Sequence, residues 1–298
     1  MTQIRHISVL LKEVIEYLNP KENQNFVDCT IGGGGHAEAI LERIIPNGKL
    51  LGIDRDNEVI SRLKSKNQRS KIKDNLILIN GNFVNLKKII EDQGFTNISG
   101  ILLDLGISSW HLQEANRGFS FLKDGPLMMN LDNKGLTAKE ILNSWTKEDL
   151  ERIFREYGQE RFAKRIAERI CINRKARSIE TTLQLAEIIR RSVPGNYERG
   201  RINPATRIFL ALRIAVNQEL ENLKEALPQA LEVLGKNGKV LVISFNSLED
   251  GLVKRFFKEK EKQGIIKILT KRPVVAGKEE LKINPRSRSA KLRAAQKL

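Results

Sequence analysis

Apolar and polar positions change period in a regular order along the first hundred residues. Short, nearly all-apolar runs at 25–30 (NFVDCT), 49–54 (KLLGID), 76–80 (LILIN) and 98–104 (ISGILLD) have the length of buried strands and are too short for helices. Stretches with helical spacing lie between them at 36–45, 56–66 and 86–92; Asp56, a helix-capping residue type, opens the second. A glycine run at 32–35 and the turn Pro46-Asn47-Gly48 punctuate the series. Strands apolar on both faces, alternating with helices, predict an α/β fold: a doubly wound, Rossmann-like parallel sheet with helices on both sides.

The rhythm stops after residue 104. The stretch 105–218 holds no strand-like run and is broken at Asp124-Gly125-Pro126, Pro194-Gly195 and Asn203-Pro204. Its clearest helices are 145–158 and 160–175. In the second, Phe162, Ile166 and Ile170 recur every four residues with Arg161, Arg165 and Arg169 alongside. An apolar-periodic stretch resumes at 206–234. A strand at 239–245 (KVLVISF), a helix at 248–262, a strand at 265–269 and a last strand near 289–294 follow. This organisation predicts a sheet domain made of 1–110 and 216–298, interrupted by an all-helical insertion at 111–215.

Charge adds a partner to this picture. The 298 residues carry a formal net charge of +16. The surplus is confined to two stretches: fifteen Lys/Arg against seven acids in 151–213, and ten against two in 267–298. Cations gathered in this way predict a polyanionic partner more readily than general solubility. No apolar run approaches the roughly 20 residues that span a bilayer, and the first residues lack a secretory leader pattern, so a cytoplasmic protein with no membrane partner is expected. The two cysteines, Cys29 and Cys171, are far apart, and the three histidines have no ligand spacing; neither a disulfide framework nor a metal is expected.

The chemistry centres on 28–36 (DCTIGGGGH). A strand runs into glycines and then a helix, and Gly32, Gly34 and Ala37 fit the G-x-G-x-x-G/A nucleotide-loop pattern. Asp54 closes the next strand, 22 residues beyond Gly32, where a carboxylate can hold the hydroxyls of an adenosine ribose. Asn80-Gly81-Asn82-Phe83 follows the third strand, with a polar group and an aromatic ring to bracket an adenine. Both a nicotinamide dinucleotide and S-adenosylmethionine fit such a loop. Asp28, Asp54 and Asp104 at three strand ends make a negative pocket in a basic protein, which suits a sulfonium with a free amino group better than a pyrophosphate. An oxidoreductase using NAD remains the alternative at this point.

These motifs resemble a known family, the bacterial methyltransferases that modify cytosine N4 in small-subunit ribosomal RNA. The resemblance spans nearly the whole chain: HISVLLKEV, TIGGGGHAEAIL, LGIDRD, GILLDLGISS, RGFSF, DGPL, YGQERFAKRIA, NPATRIFLALRIAVN, VISFNSLED and NPRSRSAKLRAA, in that order. It implies a class I S-adenosylmethionine-dependent methyltransferase fold with a helical domain inserted after the fourth strand. It implies donor contacts at Gly34, Gly35 and His36, at Asp54 on the ribose, at Phe83 on the adenine, at Asp104 near the methionine end, and at His111. Three places depart from the family pattern: His111 stands where glutamine is usual, 128–132 read MMNLD where D-M-R-M-D is usual, and Asn246 replaces a histidine.

For a cytosine amine acceptor, groups that take its N–H protons belong in the loop 104–109, with Asp104 and Ser108 as candidates. The base must be unstacked to reach the donor. Phosphates of the folded RNA would then lie on Arg161, Lys164, Arg165, Arg169, Arg174, Lys175 and Arg177 and on the basic segment 285–297, with Asn246 as a further RNA contact. The expected partner is ribosomal RNA, within the small subunit, and the protein is expected to act as a monomer or homodimer. A methyltransferase acting on DNA or protein, or an RNA-binding protein with a vestigial donor site, are the other readings these residues admit.

Overall fold

The computed structural model describes residues 7–67, 73–197 and 203–298. His6 and the rest of the leader region, and Arg199 and Arg201 of the first basic stretch, lie outside the described residues. The chain divides into two compact units: 1–106 with 220–298, and 107–219. The second extends about one helical turn past 111–215 at each end.

The first unit is built on seven strands: β1 (Asn25–Asp28), β2 (Leu50–Asp54), β3 (Leu76–Asn80), β4 (Ile98–Asp104), β5 (Leu234–Ser244), β6 (Ile266–Ile268) and β7 (Lys291–Lys297). They lie in the order β3-β2-β1-β4-β5-β7-β6. β1 to β5 run parallel, and β7 is antiparallel to both of its neighbours. Strand order therefore reverses at β1 and β4, whose carboxyl ends flank the crevice where open α/β sheets bind ligands.

Side chains sort by the two-residue period of the strands. Val27, Leu51, Ile53, Ile101, Leu103, Val240 and Val242 pack on one face with α4 (Leu86–Asp92), α11 (Glu219–Val233) and α12 (Ser247–Lys262). Phe26, Leu50, Leu102, Leu241 and Ile243 face the other way, against α1 (Leu11–Leu18), α2 (Gly35–Ile44) and α3 (Asn57–Asn67). Asp56 does open α3, accepting the Glu58 N–H at 2.8 Å. A short α13 (Lys278–Ile283) completes this unit.

The last strand expected near 289–294 is present as β7, and the basic segment 285–297 runs into it. Lys291 sits beside Ser244 at the carboxyl edge, and the chain then returns as a strand inside the sheet. Arg293 is buried and donates to Asp250 on α12 at 2.7 Å, Lys291 reaches the same carboxylate at 3.5 Å, and Lys297 Nζ donates to the Leu234 carbonyl at 2.6 Å. Three of its five cations thus hold the sheet together, leaving Arg286 and Arg288 exposed.

The second unit is helical: α5 (Ser109–Gln113), α6 (Ala138–Ser144), α7 (Lys147–Glu156), α8 (Ala163–Ala176), α9 (Thr182–Ser192) and α10 (Pro204–Asn217). Thr137, Thr146 and Thr181 cap α6, α7 and α9, each accepting the N–H three residues on. The apolar stretch 206–234 is divided between α10 and α11, because Gln218 takes a left-handed conformation at the end of α10. Asn217 just before it is buried. Its amide donates to the Met129 carbonyl at 2.8 Å and accepts the Leu131 N–H at 3.0 Å, which anchors the loop after DGPL.

A buried acid holds the opposite side of this unit. Glu160 is fully buried, accepts the Tyr197 hydroxyl at 2.9 Å and the Phe162 N–H at 2.8 Å, and lies 3.7 Å from the Arg207 guanidinium. Arg161 stacks over Phe162 and Tyr197, 4.9 and 4.5 Å from the ring centroids. Removing the carboxylate strands two donors and a partly buried cation. Glu160→Ala should therefore lower stability by about 3 kcal/mol, at the low end for a broken buried pair because Arg207 is partly exposed. Urea denaturation followed by far-ultraviolet circular dichroism measures this; an unchanged midpoint would contradict the role given to Glu160.

Candidate active site

The site is built from the carboxyl ends of β1, β2, β4 and β5. After Asp28 the chain stays bonded to the sheet, with Cys29 N–H on the Leu102 carbonyl and Ile31 N–H on the Ile53 carbonyl, both at 2.9 Å. It then turns back sharply, and Gly34 N–H donates to the Ile31 carbonyl at 2.8 Å. Gly34 caps α2 with φ of +81°, a conformation that side chains rarely adopt. At Gly35 a Cβ would lie 2.2 Å from Ser8 Oγ, so only glycine lets the helix start this close to the N-terminal segment.

Asp54 closes the loop. One carboxylate oxygen accepts the Gly32 N–H at 2.9 Å and the other the Asp56 N–H at 2.9 Å. Asn80 at the end of β3 donates to the carbonyls of Asp54 and Arg55 at 3.1 and 3.0 Å. Asn82 caps the short turn Phe83–Asn85, leaving Phe83 half-buried against the core under β2 and β3. Loop, acid, amide and ring therefore line up along successive strand ends.

Asp104 is the centre of the arrangement. Its backbone N–H donates to Thr30 Oγ1 at 2.7 Å, which ties the end of β4 to the loop after β1. One carboxylate oxygen, Oδ2, lies 3.7 Å from His36 Nδ1. His36 is buried, and its other ring nitrogen lies 2.9 Å from the Val9 carbonyl. A carbonyl only accepts, so that nitrogen carries the hydrogen and Nδ1 faces Asp104. The second oxygen, Asp104 Oδ1, is buried with no hydrogen-bond partner among the described residues.

At the end of β5, Asn246 caps α12. Its Oδ1 accepts the N–H groups of Leu248 and Glu249, both at 3.0 Å, while buried Glu249 accepts the Phe245 N–H at 2.9 Å. This is a reciprocal cap related to the capping box. It leaves Asn246 Nδ2 buried and unpartnered among the described residues.

Burial dominates the electrostatics. It pushes the Asp104 carboxyl well above the usual carboxylate range, and the charges of Asp28 and Glu249 push it the same way. Asp28, 1% exposed, is raised to about 7, chiefly by burial, with a smaller push from Asp54; the Thr30 N–H opposes the shift. A site that penalises negative charge so heavily calls for a cation. S-adenosylmethionine supplies one in its sulfonium, whereas a pyrophosphate would add to the repulsion.

The other expected residues fall elsewhere. Ser108 caps α5; its hydroxyl lies 2.9 Å from His111 Nδ1. His111 is buried between Trp110 and Phe119, edge-on to both. Both belong to the helical unit, whereas every other expected donor contact belongs to the sheet unit. On and flanking α8, Arg161, Lys164, Arg165, Arg169, Lys175 and Arg177 are exposed, while Arg174 is half-buried and donates to the Leu142 carbonyl at 2.8 Å. In the departed loop, Met129 and Asn130 are buried, and buried Arg117 donates to the carbonyls of Asn130 and Leu131 at 3.2 and 2.8 Å. Glu249, Thr30 and Val9 were not among the expected site residues. The N-x-x-E spacing of Asn246 and Glu249 was a readable capping signal; nothing local marked the other two.

Strand order, glycine loop and acidic strand ends together define a class I S-adenosylmethionine-dependent methyltransferase with an inserted all-helical unit. The chain belongs to the MraW methylase family, whose pattern matches residues 3–298. It is 44% identical over 312 residues to ribosomal RNA small subunit methyltransferase H of Clostridium botulinum (strain Loch Maree / Type A3), covering 99% of this chain and 100% of that one. It is likewise 44% identical over 310 residues to the protein of that name in Syntrophotalea carbinolica, covering 99% and 98%. This membership sets the nicotinamide reading aside. Among the described residues, no helix is long and apolar enough to cross a membrane, and no group of His, Cys, Asp and Glu could hold a metal ion.

The raised Asp28 carboxyl has a measurable consequence. Its folded-state value of about 7 exceeds the ordinary 3.8, so folding favours the protonated form. The stability this contributes is complete below about pH 4 and is lost as pH rises to about 7, by up to about 1.4 kcal/mol per pH unit. Asp28→Asn keeps an oxygen for the Thr30 N–H and removes the titration. Thermal melts from pH 4 to pH 8 should show the variant gaining on the native protein up to about pH 7, then a constant gap. Parallel curves throughout would contradict the burial argument.

Proposed function

We propose that this chain transfers the methyl group of S-adenosylmethionine to the exocyclic N4 of a cytidine in small-subunit ribosomal RNA. Full-length similarity to proteins named ribosomal RNA small subunit methyltransferase H supports the RNA. The observation that carries the amine acceptor is Asp104 Oδ1, a buried carboxylate oxygen without a partner among the described residues at the carboxyl end of β4.

Gly34, Gly35 and the Asp54-clamped loop would hold the adenosyl part, with Asp54 on the ribose and Phe83 on the adenine. The bound donor supplies a methyl carbon already activated by the sulfonium, whose C–S bond yields its electron pair to sulfur as the new bond forms. The protein's work is then alignment and proton management. Cytosine N4 is a weak nucleophile because its lone pair is delocalised into the ring. Asp104 Oδ1, accepting one N–H, localises that lone pair for attack on the methyl carbon and takes up the proton the amine loses. His36, fixed by the Val9 carbonyl, lies beside Asp104 Oδ2 and closes that side of the carboxylate. Ser108, committed to His111 and the α5 cap, is a positioning residue in this reading.

The exposed cations Arg161, Lys164, Arg165, Arg169, Lys175 and Arg177 on and flanking α8, and Arg286 and Arg288 before β7, are phosphate contacts in this reading. They carry no sequence information. They bring the RNA to the protein, and the strand ends select the atom.

The test is transfer of labelled methyl to small ribosomal subunits that lack the modification, with digested nucleosides identified by mass spectrometry. N4-methylcytidine at a single site is the expected product. Asp104→Asn should retain RNA binding and lose turnover by about 10²- to 10⁴-fold, the usual contribution of a general base. Label on another nucleoside, or none with donor and RNA both bound, overturns the proposal.

A further inference from the structure

Two buried polar atoms of opposite hydrogen-bonding sense stand unpartnered at neighbouring strand ends: the acceptor Asp104 Oδ1 and the donor Asn246 Nδ2. β4 and β5 are adjacent, Asp104 pairs in register with Ile243, and Leu105 N–H donates to the Ile243 carbonyl at 2.9 Å. Asn246 follows three residues later. Glu249 links the two ends, since its backbone N–H is bonded to Asn246 Oδ1 and its charge acts on Asp104. The amide's orientation is set by its bonds. Its oxygen accepts two backbone N–H groups at 3.0 Å, so the NH₂ faces away from the helix.

Leaving buried polar groups without partners is costly, and native structures that do so have a reason. We infer that Asp104 Oδ1 and Asn246 Nδ2 form a two-point reader of the acceptor base, the carboxylate accepting from its exocyclic amine and the amide donating to the adjacent ring nitrogen. This rests on the amine reading above and deepens it by assigning base specificity. Cytosine presents an amine donor next to the N3 acceptor. Uracil presents the reverse, a carbonyl next to an N–H, and would set acceptor against acceptor and donor against donor. Base-modifying enzymes read an extruded base by its pairing edge in this manner. In this scheme Asn246 bonds the substrate through Nδ2 while its oxygen keeps the start of α12 in place.

The cap allows the two roles to be separated. Asp and Asn are equally good N-caps, so Asn246→Asp keeps both accepted N–H bonds, reverses the outward atom from donor to acceptor and adds one negative charge. The experiment measures kcat/KM for subunit RNA, donor affinity and melting temperature for the native chain, Asn246→Asp and Asn246→His. Asn246→Asp should bind the cationic donor at least as tightly as the native chain and melt lower because of the added charge, while kcat/KM for RNA falls roughly tenfold to a hundredfold, the cost of one mismatched base contact. Asn246→His, which restores a side-chain N–H, should recover turnover above Asn246→Asp even though its cap is weaker. Native-like kcat/KM for Asn246→Asp, with the native chain making N4-methylcytidine, overturns the reader and leaves the methyl-transfer reading standing. Failure of the native chain itself to methylate cytidine overturns both.

Discussion

The structure depends on the burial of acids at the carboxyl edge of one sheet. Asp28 is 1% exposed, Glu249 is 2% exposed, and Asp104 lies where both of their charges oppose its own ionisation. In water such groups would separate and ionise. Here the strands leave them no choice, because Val27, Leu102, Leu103 and Ile243 beside them are core residues whose burial fixes where β1, β4 and β5 end. Folding thus holds Asp28 and Asp104 where negative charge is resisted, at a cost covered by apolar packing on both sheet faces. The natural relief is a cation. A sulfonium donor brings one, and its charge favours the ionised form of Asp104, the form the proposed mechanism needs.

The basic character of the chain is separate from this pocket. The acids that matter are buried at strand ends, whereas the surplus cations are exposed on and flanking α8 and on the segment leading into β7. A single net charge conceals the arrangement: long-range attraction for a polyanion from the surface, short-range attraction for a cation at the site. Many cations counted in the sequence have structural duties. Arg293 and Lys291 neutralise Asp250, Arg174 supports the end of α6 through the Leu142 carbonyl, and Arg117 braces the loop at Asn130 and Leu131.

Much of the sheet could be read directly, because parallel strands buried on both faces leave short apolar runs that helices do not imitate; β3 and β4 coincide with the runs at 76–80 and 98–104. The glycine loop and Asp54 were legible for a similar reason, since a sharp turn next to a ligand restricts residue type. β7 was legible in part. The strand expected near 289–294 is there, but nothing local marks the partners of its cations: Arg293 and Lys291 meet Asp250, some forty residues away in sequence, and Lys297 meets the Leu234 carbonyl. The bonds of Ser108 to His111 and of His36 to the Val9 carbonyl were hidden because residue type alone does not specify them, whereas the Asn246 cap carried a readable spacing. The placement of Asp104 and Asn246 at the ends of adjacent strands arises from strand order, which no linear pattern carries.

The central claim is that donor charge and site ionisation are coupled. The most direct measurement is isothermal titration calorimetry of S-adenosylmethionine binding near pH 7 in two buffers of different ionisation enthalpy. If the raised carboxyls at Asp28 and Asp104 give up protons to accommodate the cation, the observed heat differs between buffers by an amount corresponding to net proton release, and the release shrinks in Asp28→Asn. Identical heats in both buffers would show that binding leaves these carboxyls unchanged and would contradict the account.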